Sequence, residues 1–175
     1  MGREVRRLPA DWQHPKDAFG RLIPLYGGSF SKAAAEWDEE ASQWERGFTL
    51  DYAKWPSERA YKPKEGSALE YASFTDWSGE RPVEADFMPD WPEDQRTHLM
   101  MYEDTSEGTP LSPAFETPEE LALWLADNGA SSFGHDTATY EQWLPTCRGG
   151  WAPSMVMEGG HIRSGVKFVA DTGAA

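Results

Sequence analysis

Residues 102–154, YEDTSEGTPLSPAFETPEELALWLADNGASSFGHDTATYEQWLPTCRGGWAPS, decide how this chain is read, because nearly every position there has a structural role. Thr117-Pro118-Glu119-Glu120 predicts a helix start. The threonine hydroxyl accepts an orphan N–H, proline suits the first helical position, and Glu120 reaches back as the third residue of a capping box. Leu121, Trp124 and Leu125 recur at i, i+3, i+4, Ala122 and Ala126 keep the turns slim, and Asn128-Gly129 supplies a left-handed exit. The result is a helix of about three turns. A second helix is predicted over Tyr140–Leu144, capped by Thr137 or Thr139 and stopped by Pro145. Two such helices cannot bury their tryptophans alone, so the block needs packing partners elsewhere in the chain.

Working outward, Ser29 or Ser31 caps the strongest helix, about Lys32 to Arg46, ended by Gly47. Phe30, Ala33, Ala34, Trp37, Ala41 and Trp44 form its apolar stripe, which reads as core. Phe48, Leu50 and Tyr52 alternate as a half-buried strand. Tyr71, Phe74 and Trp77 suit a short helix, and Gly79–Pro92 reads as a loop anchored by Val83, Phe87, Met88 and Trp91. A further helix is expected from Asp90 or Trp91 to about Glu103, with Leu99 and Tyr102 inward and Met100 or Met101 on its flank. Ser106–Pro113 reads as irregular. Arg3–Leu8 has the pattern of a short edge strand, followed by a loop through Tyr26 pinned by aromatics. Met155–Val166 reads as a hairpin turning at Gly159-Gly160, with Phe168 and Val169 extending its second strand and residues 171–175 fraying. The fold expected is a compact single α+β domain over residues 1–170, with several short amphipathic helices packed on a small antiparallel sheet built from Phe48–Tyr52 and the C-terminal hairpin.

The run YExTSEGTPxSPxFxTPEELAxWL, continued by GASxFG, TATYEQWL and GWAPS, resembles a family of small bacteriophage- and prophage-encoded proteins of uncharacterised activity. REVRRLPADWQHPK near the N-terminus and DFMPDWPEDQRTH in the middle resemble the same family, so the likeness touches most of the chain. What it implies is a phage or prophage gene context. It implies no activity and brings no catalytic residues.

A chain of 175 residues with 13% aromatics and 9 Trp has ample material for a core, and a mean hydropathy of −0.69 leaves a polar surface. No run approaches the roughly 20 apolar residues a membrane span needs, and the lone Cys147 offers no disulfide, so a cytoplasmic protein is expected. Cys147 reads as structural. The net charge of −14 is uneven along the chain: residues 33–140 hold 7 Lys/Arg against 24 Asp/Glu. Such a stretch repels phosphate backbones, so no direct nucleic-acid contact is expected. It either solubilises the protein or meets a basic partner. Glu36, Glu39, Glu40, Glu103, Asp104 and Glu107 are the acidic partner-binding candidates. The basic arm Arg3, Arg6, Arg7, Lys16 and Arg21 is expected to pair internally.

Catalytic patterns are sparse. His14, His98, His135, His161 and Cys147 lack the spacing of a zinc site, so no metal is expected, and no GxSxG elbow occurs. Gly27–Lys32 precedes a helix but lacks the spacing of a nucleotide loop. His135-Asp136, with the hydroxyl-rich Thr105, Ser106 and Thr109, is the candidate loop site for acid–base work, weighed against plain turn chemistry. The sequence thus points to a phage accessory protein that binds a host or phage protein with a basic surface, without cofactor. It would act as an acidic inhibitor of a host defence or nucleic-acid-processing complex. A small enzyme at His135/Asp136 and a virion component are the alternatives, and the Trp37/Trp44 stripe offers a face for a homo-oligomer.

Overall fold

The structure, a computed structural model, describes residues 2–104 and 108–173 and is an α+β protein. The single domain expected from length is organised as two compact units: Met1–Gly27 with Pro89–Ala175, and the inserted Gly28–Met88.

In the discontinuous unit, a four-stranded sheet has β1 (Arg3–Leu8) between β4 (His98–Glu103) and β6 (Trp151–Ala152), with β5 (Thr109–Pro110) on the far side of β4. β1 is antiparallel to β4, Arg3 opposite Glu103 and Leu8 opposite His98. β1 is therefore an interior strand, not the short edge strand expected for Arg3–Leu8. Its Arg3 and Arg6 are buried because both find acceptors: Arg3 donates to the Ser131 carbonyl (2.8 Å) and lies 3.6 Å from Glu103, while Arg6 donates to the Leu25 carbonyl (2.8 Å) and to Glu4 (2.8 Å). β4 corrects the expected helix over 91–103. Leu99–Tyr102 is an unbroken apolar run, which suits a buried helix turn or a strand covered on both faces. All four residues are buried, and Arg96, at φ −83° and ψ 60°, stops the single 3-10 turn that precedes them. β5 likewise gives regular structure to a segment expected to have none.

Helices α3 (Pro118–Asp127), α4 (Tyr140–Gly149) and α5 (Gly165–Thr172) complete the core around Met101, Leu121, Leu125, Trp143, Val166 and Val169. Thr117 and Thr139 each form a full capping box, with Glu120 and Gln142 returning the bond. Pro145 does not end α4. Its missing N–H and its ring cost about 3 kcal/mol in a helix interior, but Trp143 on one side and Thr146 and Cys147 on the other are all buried. Burying the Trp143 side chain alone contributes roughly 4–6 kcal/mol, so the helix continues to the left-handed Gly150.

The hairpin appears as expected, β7 (Met155–Glu158) against β8 (His161–Ser164), but pairs only with itself. Phe168 and Val169 belong to α5 and do not extend it. Gly165 lies so close to Pro153 that a Cβ would sit 1.7 Å from the Pro153 carbonyl oxygen, and the chain turns there into the helix. Asp171 and Thr172, expected to fray, form its last turn, with Asp171 3.1 Å from Arg163. Residues 174–175 lie outside the described residues.

The inserted unit is built on α1 (Phe30–Glu45), and of the two expected caps, Ser29 and Ser31, it is Ser29 that caps it. Trp44 is buried with Ala68 and Phe74, and Trp37, Ala41 and Trp77 pack around them. Trp44 and Trp77 stack at 5.6 Å, and Trp37 meets Phe74 edge-on at 5.1 Å. α2 (Phe74–Ser78) is the predicted short helix. β2 (Phe48–Leu50) pairs with β3 (Tyr61–Pro63), so the Phe48 strand and the C-terminal hairpin build separate sheets in separate units. No helix among the described residues is long and apolar enough to cross a membrane.

Candidate functional site

The acidic candidates are engaged within the fold and divide between the units. Glu36 and Glu40 both take Arg59, at 3.2 and 2.5 Å, and Glu39 accepts from Gln43 at 2.7 Å in the inserted unit. Burial pushes the Glu40 carboxyl above its usual range, against the pull of Arg59. Glu103 lies beside Arg3, and Asp104 accepts from the Gly2 amide and the Trp151 indole, both at 2.6 Å, in the discontinuous unit. Glu107 lies outside the described residues, as do Thr105 and Ser106 of the loop candidate.

The remaining loop candidates are not gathered into a site. Thr109 is on β5 opposite Glu103. His135 and Asp136 are exposed on a turn closed by its own backbone, with the Asp136 carbonyl accepting from the Ser132 amide at 2.7 Å and its hydroxyl at 3.1 Å. Neither side chain makes a hydrogen bond or ion pair with another described residue. Among the described residues no group of His, Cys, Asp and Glu is assembled to hold a metal. Cys147 is buried and its thiol is pushed up to about 12, first by burial and then by Glu119, so no thiolate is present near neutral pH. Of the basic arm, Arg3 pairs with the acidic middle at Glu103, while Arg6 and Arg21 take carboxylates of their own segment, Glu4 and Asp17.

Two arrangements were not anticipated. The first is a polar chain beneath the Pro9–Tyr26 loop. The Trp12 indole N–H donates to the Tyr102 hydroxyl (3.2 Å), which bonds His14 Nδ1 (3.2 Å), while His14 Nε2 faces the Ile23 carbonyl (2.7 Å). The Arg6 guanidinium lies over the Tyr102 ring at 4.3 Å, and Trp12 meets Trp91 edge-on at 4.8 Å. Tyr102 is fully buried and its phenol is pushed up by that burial. This network pins the loop and exposes no reactive group.

The second is an open surface groove of about 280 Å³ along α3, lined by Phe115, Glu120, Leu123, Trp124, Asp127 and Asn128. Opposite it, Leu121, Ala122 and Leu125 enter the core. Phe115 and Trp124 meet at 6.1 Å with their planes tilted by 44°. Leu123 is 51% exposed. The signal was present in the sequence: Glu120, Leu123, Trp124 and Asp127 are spaced i, i+3, i+4, i+7, a second stripe beside the buried one. Reading Trp124 only as core hid it. Compared with known proteins, the chain matches no family model, no curated protein and no solved structure.

Proposed function

We propose that this is a phage- or prophage-encoded accessory protein that works in the bacterial cytosol by binding a host or phage protein with a basic surface. In its sharper form, it inhibits a host defence or nucleic-acid-processing complex by covering that complex's basic groove. The observation that carries the reading is how the protein uses its cations. Among the described residues, eleven ion pairs engage eight of the ten arginines; over the whole chain, carboxylates still outnumber cations 30 to 16. Internal pairing therefore leaves a surface of excess negative charge, carried by both units: 9 cations face 17 acids in the discontinuous unit, and 7 face 13 in the inserted one. Such a surface steers toward positive partners and away from phosphate.

The test is capture from bacterial lysate on the immobilised protein. A basic protein should be retained at about 0.1 M salt, released as the Debye length shortens toward 0.5 M, and displaced by duplex DNA. Recovery of nothing at any salt concentration, or retention that salt and DNA leave unchanged, would overturn the reading.

A further inference from the structure

The α3 groove joins three features that ordinary folding does not require together. Its floor is apolar and open, with Leu123 half-exposed beside the tilted Phe115/Trp124 pair. Its ends are carboxylates seven residues apart, Glu120 and Asp127, and α3 carries no lysine or arginine to neutralise them. Asp127 is, moreover, the last residue of α3, at the negative end of the helix dipole, where a carboxylate is unfavourable. A cation placed there would relieve both the dipole and the carboxylate.

We infer that this groove is a receptor for an arginine side chain presented by a protein partner. At about 280 Å³ it falls just below the roughly 300–1,000 Å³ of small-molecule pockets and is of side-chain size. A planar guanidinium stacks on the Trp124 indole, its N–H groups donate to the Asp127 carboxylate, its methylene stem lies along Leu123 and Phe115, and Glu120 adds negative potential from the other end of the groove. Glu120 already accepts the Thr117 amide through Oε2 (3.2 Å), which fixes that carboxylate at the groove end. The inference deepens the basic-partner reading and rests on it for the class of macromolecule, while the groove's chemistry stands on its own residues.

The probe is N-acetyl-arginine methylamide, titrated into the full chain at low salt, with the neutral isostere N-acetyl-citrulline methylamide as control. Nuclear magnetic resonance follows the Trp124 indole and Leu123 methyl signals. Saturable shifts at these two residues are expected, with citrulline binding at least about fivefold more weakly and Asp127→Asn weakening arginine by about two- to fivefold. Because Asp127 opposes its helix dipole, the same substitution should raise the melting temperature by about 1–4 °C. Equal affinity for the two amides, shifts confined to other residues, or a lowered melting temperature in Asp127→Asn would each overturn the assignment. The broader reading fails separately: arginine binding in the groove with no salt-sensitive capture from lysate rejects the basic partner and keeps the receptor. Capture unchanged by Asp127→Asn and by the exposed Leu123→Ser rejects the receptor and keeps the partner.

Discussion

His14 is held neutral by what surrounds it. The Ile23 carbonyl can only accept, so Nε2 carries the hydrogen, and the neutral ring offers Nδ1 to a Tyr102 hydroxyl that already accepts from Trp12. A second ring proton, on Nδ1, would require that hydroxyl to turn its own hydrogen away from the ring. Burial lowers the His14 pKa below its ordinary value of 6.5, and Arg6 adds to the shift against the Ile23 carbonyl. The unfolded chain therefore binds this proton more readily than the folded one below about pH 6.5, and stability should fall as pH drops from there toward the folded value. Urea midpoints at pH 7.5, 6.5 and 5.5 should decline more steeply for the natural chain than for His14→Gln. Parallel declines would show that the network does not hold the ring neutral. None of this was legible in the sequence, since Trp12, His14 and Tyr102 meet only through tertiary folding, whereas Cys147 could be read as structural because it is the lone cysteine and belongs to no metal or catalytic motif.

Element boundaries set by neighbouring residues were legible, and those set by distant backbone were not. Ser29, Thr117 and Thr139 act within three residues of themselves; Thr117 caps where the pattern placed it, and Ser29 and Thr139 are each one of the two caps the pattern allowed. β4 and α5 were misread because the deciding contacts come from β1, some 95 positions earlier, and from Pro153. Gly165 shows the difference in energy. Its backbone needs no left-handed angle, yet an added Cβ would overlap the Pro153 carbonyl, whereas Gly173 at φ 67° has open space around it. Gly165→Ala should cost about 3 kcal/mol or more by forcing α5 off the core. Gly173→Ala should cost about 1 kcal/mol, the penalty of a left-handed alanine at a helix end. Chemical denaturation of the two variants checks the order, and a larger loss at Gly173 would mean the Pro153 segment yields easily.

At the scale of the whole chain, the excess of acid sets a salt response. Ion pairs span less than 4 Å, while repulsion among surplus carboxylates acts over tens of ångströms. Raising salt from about 0.01 to 0.15 M shortens the Debye length from roughly 30 to 8 Å, which screens the long-range repulsion first. The melting temperature should therefore rise over this range, and a fall would show that the exposed ion pairs outweigh the repulsion. Composition made this charge legible; its division between two units was not, because the inserted unit begins and ends at glycine- and proline-punctuated loops that look like others in the chain. The interior position of β1 has a further consequence for synthesis. The strand is made early, but β4 emerges about 90 residues later and β6 later still, a delay of roughly 5–20 s for β4 at ribosomal rates. The inserted unit, whose pairings all lie within residues 28–88, is complete in the meantime. Arg3, Arg6 and Arg7 keep the waiting strand charged and discourage it from joining other chains, so Arg3 and Arg6, which donate to carbonyls in the finished fold, serve first as a guard against aggregation.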